Sequence, residues 1–255
     1  MSDAPLDLSG RVALVTGAGV RVGARIVRVL HQAGLNVVIH YHSSEQPAAA
    51  LAEALCDARP NSAVIMRANL HDTGAIDQLV HSAHGVWGRL DVLINNASTF
   101  YPTPLADVDE NNWSDLIGTN LKAPLFAAKA AADYLRANGG CIINITDIHA
   151  ERPLADHPIY CAAKAGLVAL TKALARDLSP TVRVNAIAPG AILWPTDVGD
   201  ESMAADSRQK VLAKIALGRE GDADDIARTA LFLIRDAPYI TGQNIAVDGG
   251  RVLQQ

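Results

Sequence analysis

Two side chains that could do chemistry stand four residues apart, Tyr160 and Lys164, and so share one face of any helix containing both. The run from Tyr160 to about Leu178 is rich in alanine and leucine and reads as helix. An ammonium one turn from a phenol stabilises phenolate and is expected to draw the tyrosine pKa down from ~10 towards neutrality. A tyrosine tuned in this way is a usable proton donor. The same spacing also marks the edge of many ordinary amphipathic helices, so the elements that position the pair must decide between the two.

Those elements begin with an apolar, β-branched run at 11–16 that stops at Gly17-Ala18-Gly19, followed by helical periodicity over 22–33. A strand, a glycine turn and a helix form a natural anion site, because backbone N–H groups can approach a phosphate closely and the helix dipole favours it. Residues 35–40 read as a second strand, completing a βαβ unit of the length expected for dinucleotide binding. Versions of this unit that bind NAD place a carboxylate at the end of that strand for the adenosine ribose. Here the strand runs into Tyr41-His42-Ser43-Ser44, with no carboxylate before Glu45, and His42, Ser43 and Ser44 can donate to a 2′-phosphate. NADP(H) is therefore the expected cofactor.

Further along, 47–58 reads as helix and 63–68 as a strand ending at Asn69-Leu70. The Asn69 amide could accept from an adenine amino group or serve the turn itself. Residues 76–87 read as helix, 90–94 as strand, about 113–135 as one helix carrying Asn120, and 141–146 as a strand ending at Asp147. The segment at 182–188 leads to Pro189-Gly190, a helix follows at 223–234, and a last strand lies at 244–247. This alternation predicts an α/β chain: one Rossmann-type domain over 1–255 with a doubly wound parallel sheet and ligands at the carboxyl ends of its strands. The loop after the fourth strand holds Phe100 and Tyr101 where substrate would lie, stiffened by Pro102 and Pro104, so a flat ligand could stack there.

With 255 residues and 49% hydrophobic content the chain can bury a sizeable core, and a net charge of -5 argues against a nucleic-acid surface. Three scattered cysteines, Cys56, Cys141 and Cys161, fit packed thiols in a reducing, cytoplasmic setting. The first ten residues lack the pattern of a signal peptide, and no apolar run is read as approaching the ~20 residues of a membrane span, so a protein with no membrane partner is expected. His81 and His84, one turn apart without further ligands, read as a solvated face, and no metal site is expected. Asp222, Asp224 and Asp225 suit a helix N-terminus.

Taken together, the turn from Thr16 to Gly23, Asn95-Asn96-Ala97, Tyr160 with Lys164, Pro189-Gly190, and the closing segments at 239–243 and 247–250 resemble the short-chain dehydrogenase/reductases over essentially the whole chain. Three positions depart from that family's usual pattern: Arg21 replaces a glycine, Ser98 a glycine and Asp147 a serine. All three are similar to the pteridine reductases, as are the loop from Asn95 through Leu105 and His40-Tyr41-His42. The resemblance implies that Gly17, Arg21, Val22, Asn69, Leu70, Asn96, Ala97, Ser98, Pro189 and Gly190 help hold NADPH, with Lys164 and Tyr160 at the nicotinamide ribose. It implies that Arg21, Ser98, Phe100 and Asp147 meet the pterin, with Phe100 sandwiching it against the nicotinamide, and that Asp147, Tyr160 and Lys164 form the catalytic group. Asn120 matches the family's asparagine that holds a water relay to the lysine. Residues 191–208 match its substrate-covering segment, from which Trp194 could roof the site, and a homotetramer is implied.

The chemistry suits these departures. Reducing a C=N bond puts hydride on a ring carbon and a proton on the adjacent nitrogen, and a pterin presents amino and ring N–H donors, which a carboxyl can accept. Asp147 beside Tyr160 is expected to be hydrogen-bonded to the hydroxyl or partly protonated, the two titrating as a unit. The function expected is NADPH-dependent reduction of dihydropterin, with oxidised pterin and dihydrofolate as further substrates in folate metabolism. Two readings stand beside it: a carbonyl or 3-oxoacyl-thioester reductase of the same family, and a sensor that binds NADP(H) without catalysis.

Overall fold

The computed structural model describes residues 6–192 and 209–253. Trp194 and residues 193–208 of the expected covering segment lie outside the described residues.

Seven strands form one parallel sheet: β1 (Val12–Val15), β2 (Asn36–Tyr41), β3 (Ala63–Arg67), β4 (Val92–Asn95), β5 (Cys141–Ile145), β6 (Arg183–Pro189) and β7 (Asn244–Val247). Their order is β3-β2-β1-β4-β5-β6-β7, with every pairing parallel. The helices are α1 (Arg21–Gln32), α2 (Glu45–Ala58), α3 (Thr73–Trp87), α4 (Glu110–Ile117), α5 (Ala123–Asn138), α6 (Pro158–Asp177) and α7 (Ala223–Arg235). Central strands read as unbroken apolar runs because both faces are covered. Ala13 and Val15 of β1 pack towards α1, α2 and α7, whereas Val12 and Leu14 pack towards α3, α5 and α6. The order reverses between β1 and β4, which leaves a crevice at their carboxyl ends.

The expected single helix at 113–135 is two helices joined by a five-residue π turn, Gly118–Lys122. Pro124 has no N–H to give the carbonyl four residues back, and the Asn120 side chain donates to Leu116 O at 2.9 Å, so the regular ladder breaks there. A second correction concerns α6, which among the described residues is the one helix long and apolar enough to cross a bilayer by length and composition. Its buried face carries Lys164 and Thr171 and it packs on β6 and α4, the position of a core helix.

Charges are settled locally where the sequence suggested it. Asp222 caps α7 in a capping box with Asp225, and Asp224 pairs with Arg25 of α1. His81 and His84 are engaged by Tyr134: one ring nitrogen lies 2.9 Å from its hydroxyl, and the other imidazole stacks on its ring at 4.1 Å.

Candidate active site

The first turn is shaped by close approach. A Cβ on Gly17 would lie 2.8 Å from Ala97 Cα, and one on Gly23 would lie 2.5 Å from Asn96 Nδ2 and 2.6 Å from Gly17 O. Thr16 Oγ1 accepts from the N–H groups of Asn96 and Ala97, both at 3.0 Å, and Asn96 Nδ2 donates to Thr16 O and Gly17 O. These bonds lock the end of β4 to the end of β1.

The N-terminus of α1 carries no side-chain cap, because Val20 occupies the N-cap position. Asp72, Asp109 and Asp222 cap α3, α4 and α7, whereas α2, α5 and α6 share with α1 the lack of a side-chain cap bond. The N–H groups of the first turn of α1 therefore have no carboxylate competing for them, an arrangement fit for a phosphate. Arg21 opens this helix at φ +54°, in the left-handed region where glycine is at ease and a long side chain is not. Arg21 is exposed, at the helix start that follows the glycine turn.

At the end of β2, His42 and Ser43 are exposed and Ser44 is half-buried at the N-cap of α2, where its side chain makes no capping bond. These three groups, and no carboxylate, line this corner up to Glu45, which leaves room in charge terms for a 2′-phosphate. Asn69 Oδ1 accepts from His71 N–H at 3.1 Å, so its acceptor is engaged by the turn; Leu70 is buried beneath.

Asp147 and Tyr160, thirteen residues apart, meet: the Tyr160 hydroxyl donates to Asp147 Oδ2 at 2.7 Å. The other carboxylate oxygen accepts from His149 N–H at 2.8 Å as Asp147 caps the 3₁₀ turn Ile148–Ala150, which aims Oδ2 at the tyrosine. The expectation for Tyr160 itself is corrected. Its pKa is raised, first by burial and then by the Asp147 charge and hydrogen bond, with the Ser98 hydroxyl acting the other way. Lys164 does not reverse this: its Nζ lies 5.6 Å from the Tyr160 ring centroid and donates to Ile145 O at 3.0 Å. Burial of Lys164, 2% exposed, brings its own pKa down to about 8.

Ser98 Oγ donates to Asn120 Oδ1 at 2.6 Å, while Asn120 Nδ2 donates to Thr99 O and Leu116 O, both at 2.9 Å. Asn120 is thus spent on the β4 loop, and its direct partners do not include Lys164. Pro189 ends β6, and Gly190 donates to Val247 O at 3.0 Å with Asp248 Cβ 2.6 Å from where a Cβ would stand.

Phe100, 51% exposed, meets the edge of Tyr160 at 4.8 Å and 77° and stacks on His157 at 4.7 Å and 14°. His157, at the N-cap of α6, was not legible as a site residue; its position three residues before Tyr160 was the available signal. Its Nδ1 lies 2.7 Å from Ala155 O and must be the donor there. The arrangement offers the Phe100 ring stacked on His157 with a carboxylate–phenol pair in contact with it, and an uncapped helix end after β1.

Comparisons with known proteins agree on the family. A family profile described as enoyl-(acyl carrier protein) reductase matches residues 17–251. Pteridine reductase 1 of Leishmania tarentolae is 36% identical, with 94% of this chain and 95% of that protein aligned. The 3-oxoacyl-(acyl-carrier-protein) reductase FabG of Staphylococcus aureus is 37% identical, covering 93% and 96%. The crystal structure of a putative short-chain alcohol dehydrogenase from Sinorhizobium meliloti 1021 superposes with a TM-score of 0.91 at 34% identity, over 98% of this chain and 99% of that one.

Proposed function

The chain belongs to the short-chain dehydrogenase/reductase family of oxidoreductases, and on that premise we propose that it is an NADPH-dependent pteridine reductase. Its substrate is dihydropterin, with dihydrofolate and oxidised pterin as further substrates, and the product is the tetrahydro form. Identity alone does not choose between this and a thioester reductase, since relatives of both kinds match equally well. What supports the choice is the 2.7 Å bond between Tyr160 and Asp147, in ring contact with Phe100. A carbonyl substrate needs a donor at its oxygen; a pterin, rich in N–H donors, needs an acceptor, and the carboxylate provides one.

The residues then divide the work. NADPH, when bound, supplies the hydride. The first turn of α1, with Arg21, takes the pyrophosphate, while His42, Ser43 and Ser44 take the 2′-phosphate. Lys164 holds the nicotinamide ribose, and Phe100 fixes the plane of the pterin. Asp147 and Tyr160 share a proton and pass one to the ring nitrogen beside the carbon that receives hydride, so each turnover consumes one hydride and one proton, the latter restored from solvent. Because burial and Asp147 raise the Tyr160 pKa, the pair rather than the phenol alone is the acid. The small exposed side chains of α6, Ala162, Ala165 and Ala169, suit close approach of a partner copy in a tetramer.

The test is loss of NADPH absorbance with dihydrobiopterin, run beside dihydrofolate, an acetoacetyl thioester and NADH. Rapid pterin-dependent oxidation of NADPH is expected. Thioester turnover without pterin turnover would assign the chain to the reductases of the FabG kind, and tight NADPH binding with no turnover would make it a sensor.

A further inference from the structure

His40, in β2, is 1% exposed and has both ring nitrogens engaged beyond the ends of the regular ladders. The Gly17 N–H donates to Nδ1 at 3.0 Å, which makes that nitrogen an acceptor. Nε2 lies 3.2 Å from Ala68 O and can only donate there, so the partners select one neutral tautomer. The backbone carbonyl of His40 also accepts the next N–H of the turn, from Ala18, at 2.8 Å. β1 and β2 pair last at Val15 with Ile39, and β2 and β3 at Tyr41 with Arg67. One backbone bond continues each pairing, Ala18 N–H to His40 O and Ala68 N–H to Tyr41 O, and the imidazole adds a side-chain bond on each side at the same level. His42 Nδ1 reaches the same Ala68 carbonyl at 3.2 Å, so two imidazoles bear on that one oxygen.

We propose that His40 is a positioning residue for the dinucleotide. It ties the glycine turn, where the pyrophosphate sits, to the end of β3, where Asn69 and Leu70 border the adenine, and so sets the separation of the two halves of the cofactor site. The inference rests on the reading of this crevice as the dinucleotide site. Turning the Gly17 N–H inward also determines which amides remain for the phosphates, namely those at the uncapped start of α1. Burial holds the His40 pKa down to about 4, so the neutral ring these bonds require persists at ordinary pH.

Three substitutions separate the two bonds. His40→Asn retains an acceptor near the Nδ1 position, His40→Gln a donor near the Nε2 position, and His40→Phe neither. The affinities of the full-length variants for NADPH and for 2′,5′-ADP are to be measured by calorimetric titration, with melting temperature and steady-state kinetics on the same preparations. A lost hydrogen bond corresponds to a few-fold to tenfold change in affinity. The expected result is a rise in Kd for NADPH of roughly threefold to tenfold in His40→Asn and in His40→Gln, and a larger rise in His40→Phe. KM for NADPH should rise in parallel while kcat at saturating NADPH stays within about threefold of wild type.

Wild-type affinity in either folded single-bond variant would overturn the tie, because one bond alone would then suffice. A lowered melting temperature with unchanged affinity would make His40 merely structural and overturn it as well. Should His40→Phe not fold, the Asn and Gln variants decide the matter. A wild-type protein that binds neither NADPH nor 2′,5′-ADP would overturn the dinucleotide reading and this inference with it.

Discussion

The two edges of the one sheet treat charge in opposite ways. At the amino edge, Asp91 is 1% exposed yet accepts from Arg11, from Nε and Nη2 of a bidentate Arg89 and from Val12 N–H. Arg59 donates to the carbonyls of His31, Gly34 and Leu35 at the end of α1, and Arg183 to those of Leu233, Ile234, Ala237 and Ile240 at the end of α7. At the carboxyl edge, Lys164 is buried with one backbone acceptor, Arg21 sits at φ +54°, α1 begins uncapped and a π turn interrupts the helix carrying Asn120. Helix C-termini and strand starts meet at the amino edge, where arginines satisfy carbonyls and the charges close on one another. At the other edge the starts of α3, α4 and α7 are closed by Asp72, Asp109 and Asp222, while the start of α1, the strained Arg21 and the buried Lys164 gather around the crevice between β1 and β4.

Substitutions among the site residues of the carboxyl edge should cost activity and spare or raise stability, while those at the amino edge should do the reverse. The largest effect is expected for Asp147→Ser: a fall of roughly 10³ in kcat/KM for dihydropterin, equivalent to about 4 kcal/mol, read by NADPH oxidation. Tyr160→Phe should lose a similar factor, and the double variant little more, since the two act on one proton. Unchanged pterin turnover in Asp147→Ser would remove Asp147 from the reaction.

Asp91→Asn at the opposite edge should lower unfolding stability by roughly 2–3 kcal/mol, after discounting the partly exposed guanidinium groups. Urea titration would measure this, and kcat should be retained. A loss of kcat at full stability would show that the edges are not separable.

Lys164→Met should abolish most turnover and yet stabilise the fold by about 2 kcal/mol at neutral pH. A pKa brought from 10.5 to about 8 corresponds to about 3 kcal/mol of burial cost, less about 1 for the lost bond to Ile145 O. The sign follows from the proton balance: between pH 8 and 10.5 the unfolded chain holds the lysine proton and the folded chain has released it. Wild-type stability should therefore rise with pH through that window as far as Lys164 contributes, and the variant should lack that rise. A destabilised Lys164→Met would mean that the buried ammonium is better compensated than its partners suggest.

The smallest effect is that of Arg21→Gly. Relief of the left-handed backbone, roughly 1–2 kcal/mol, is partly offset by the greater freedom of glycine in the unfolded chain, leaving a gain of about 1 kcal/mol in thermal unfolding. KM for NADPH should rise several-fold. A gain in stability without a change in KM would leave the strain unexplained by binding.

Much of this molecule was legible in the residues. Each strand of the sheet lies within a residue or two of its apolar run; in the central strands β1, β4 and β5 burial on both faces leaves a continuous signal. The glycine turn announced itself through Gly17 and Gly23, whose missing side chains are demanded by close approach, and the carboxylates at 222–225 announced the cap of α7. Such features depend on residues a few positions apart. Pro124 was a sign of the broken helix, but the π turn also needed Asn120 to take the Leu116 carbonyl. Even the juxtaposition of Asp147 with Tyr160 came from likeness to a family rather than from spacing.

The alternating strands and helices, their parallel sheet, the glycine turn and the types of residue gathered at the site all follow from patterns along the chain. That Lys164 turns to Ile145 O instead of lowering the Tyr160 pKa, that Phe100 stacks on His157, and that His40 bridges Gly17 and Ala68 came from the folded arrangement. The reason is physical: periodicity and capping act through neighbours along the chain, whereas desolvation and hydrogen-bond choice depend on which distant groups the fold brings within about 3 Å and how much water it removes.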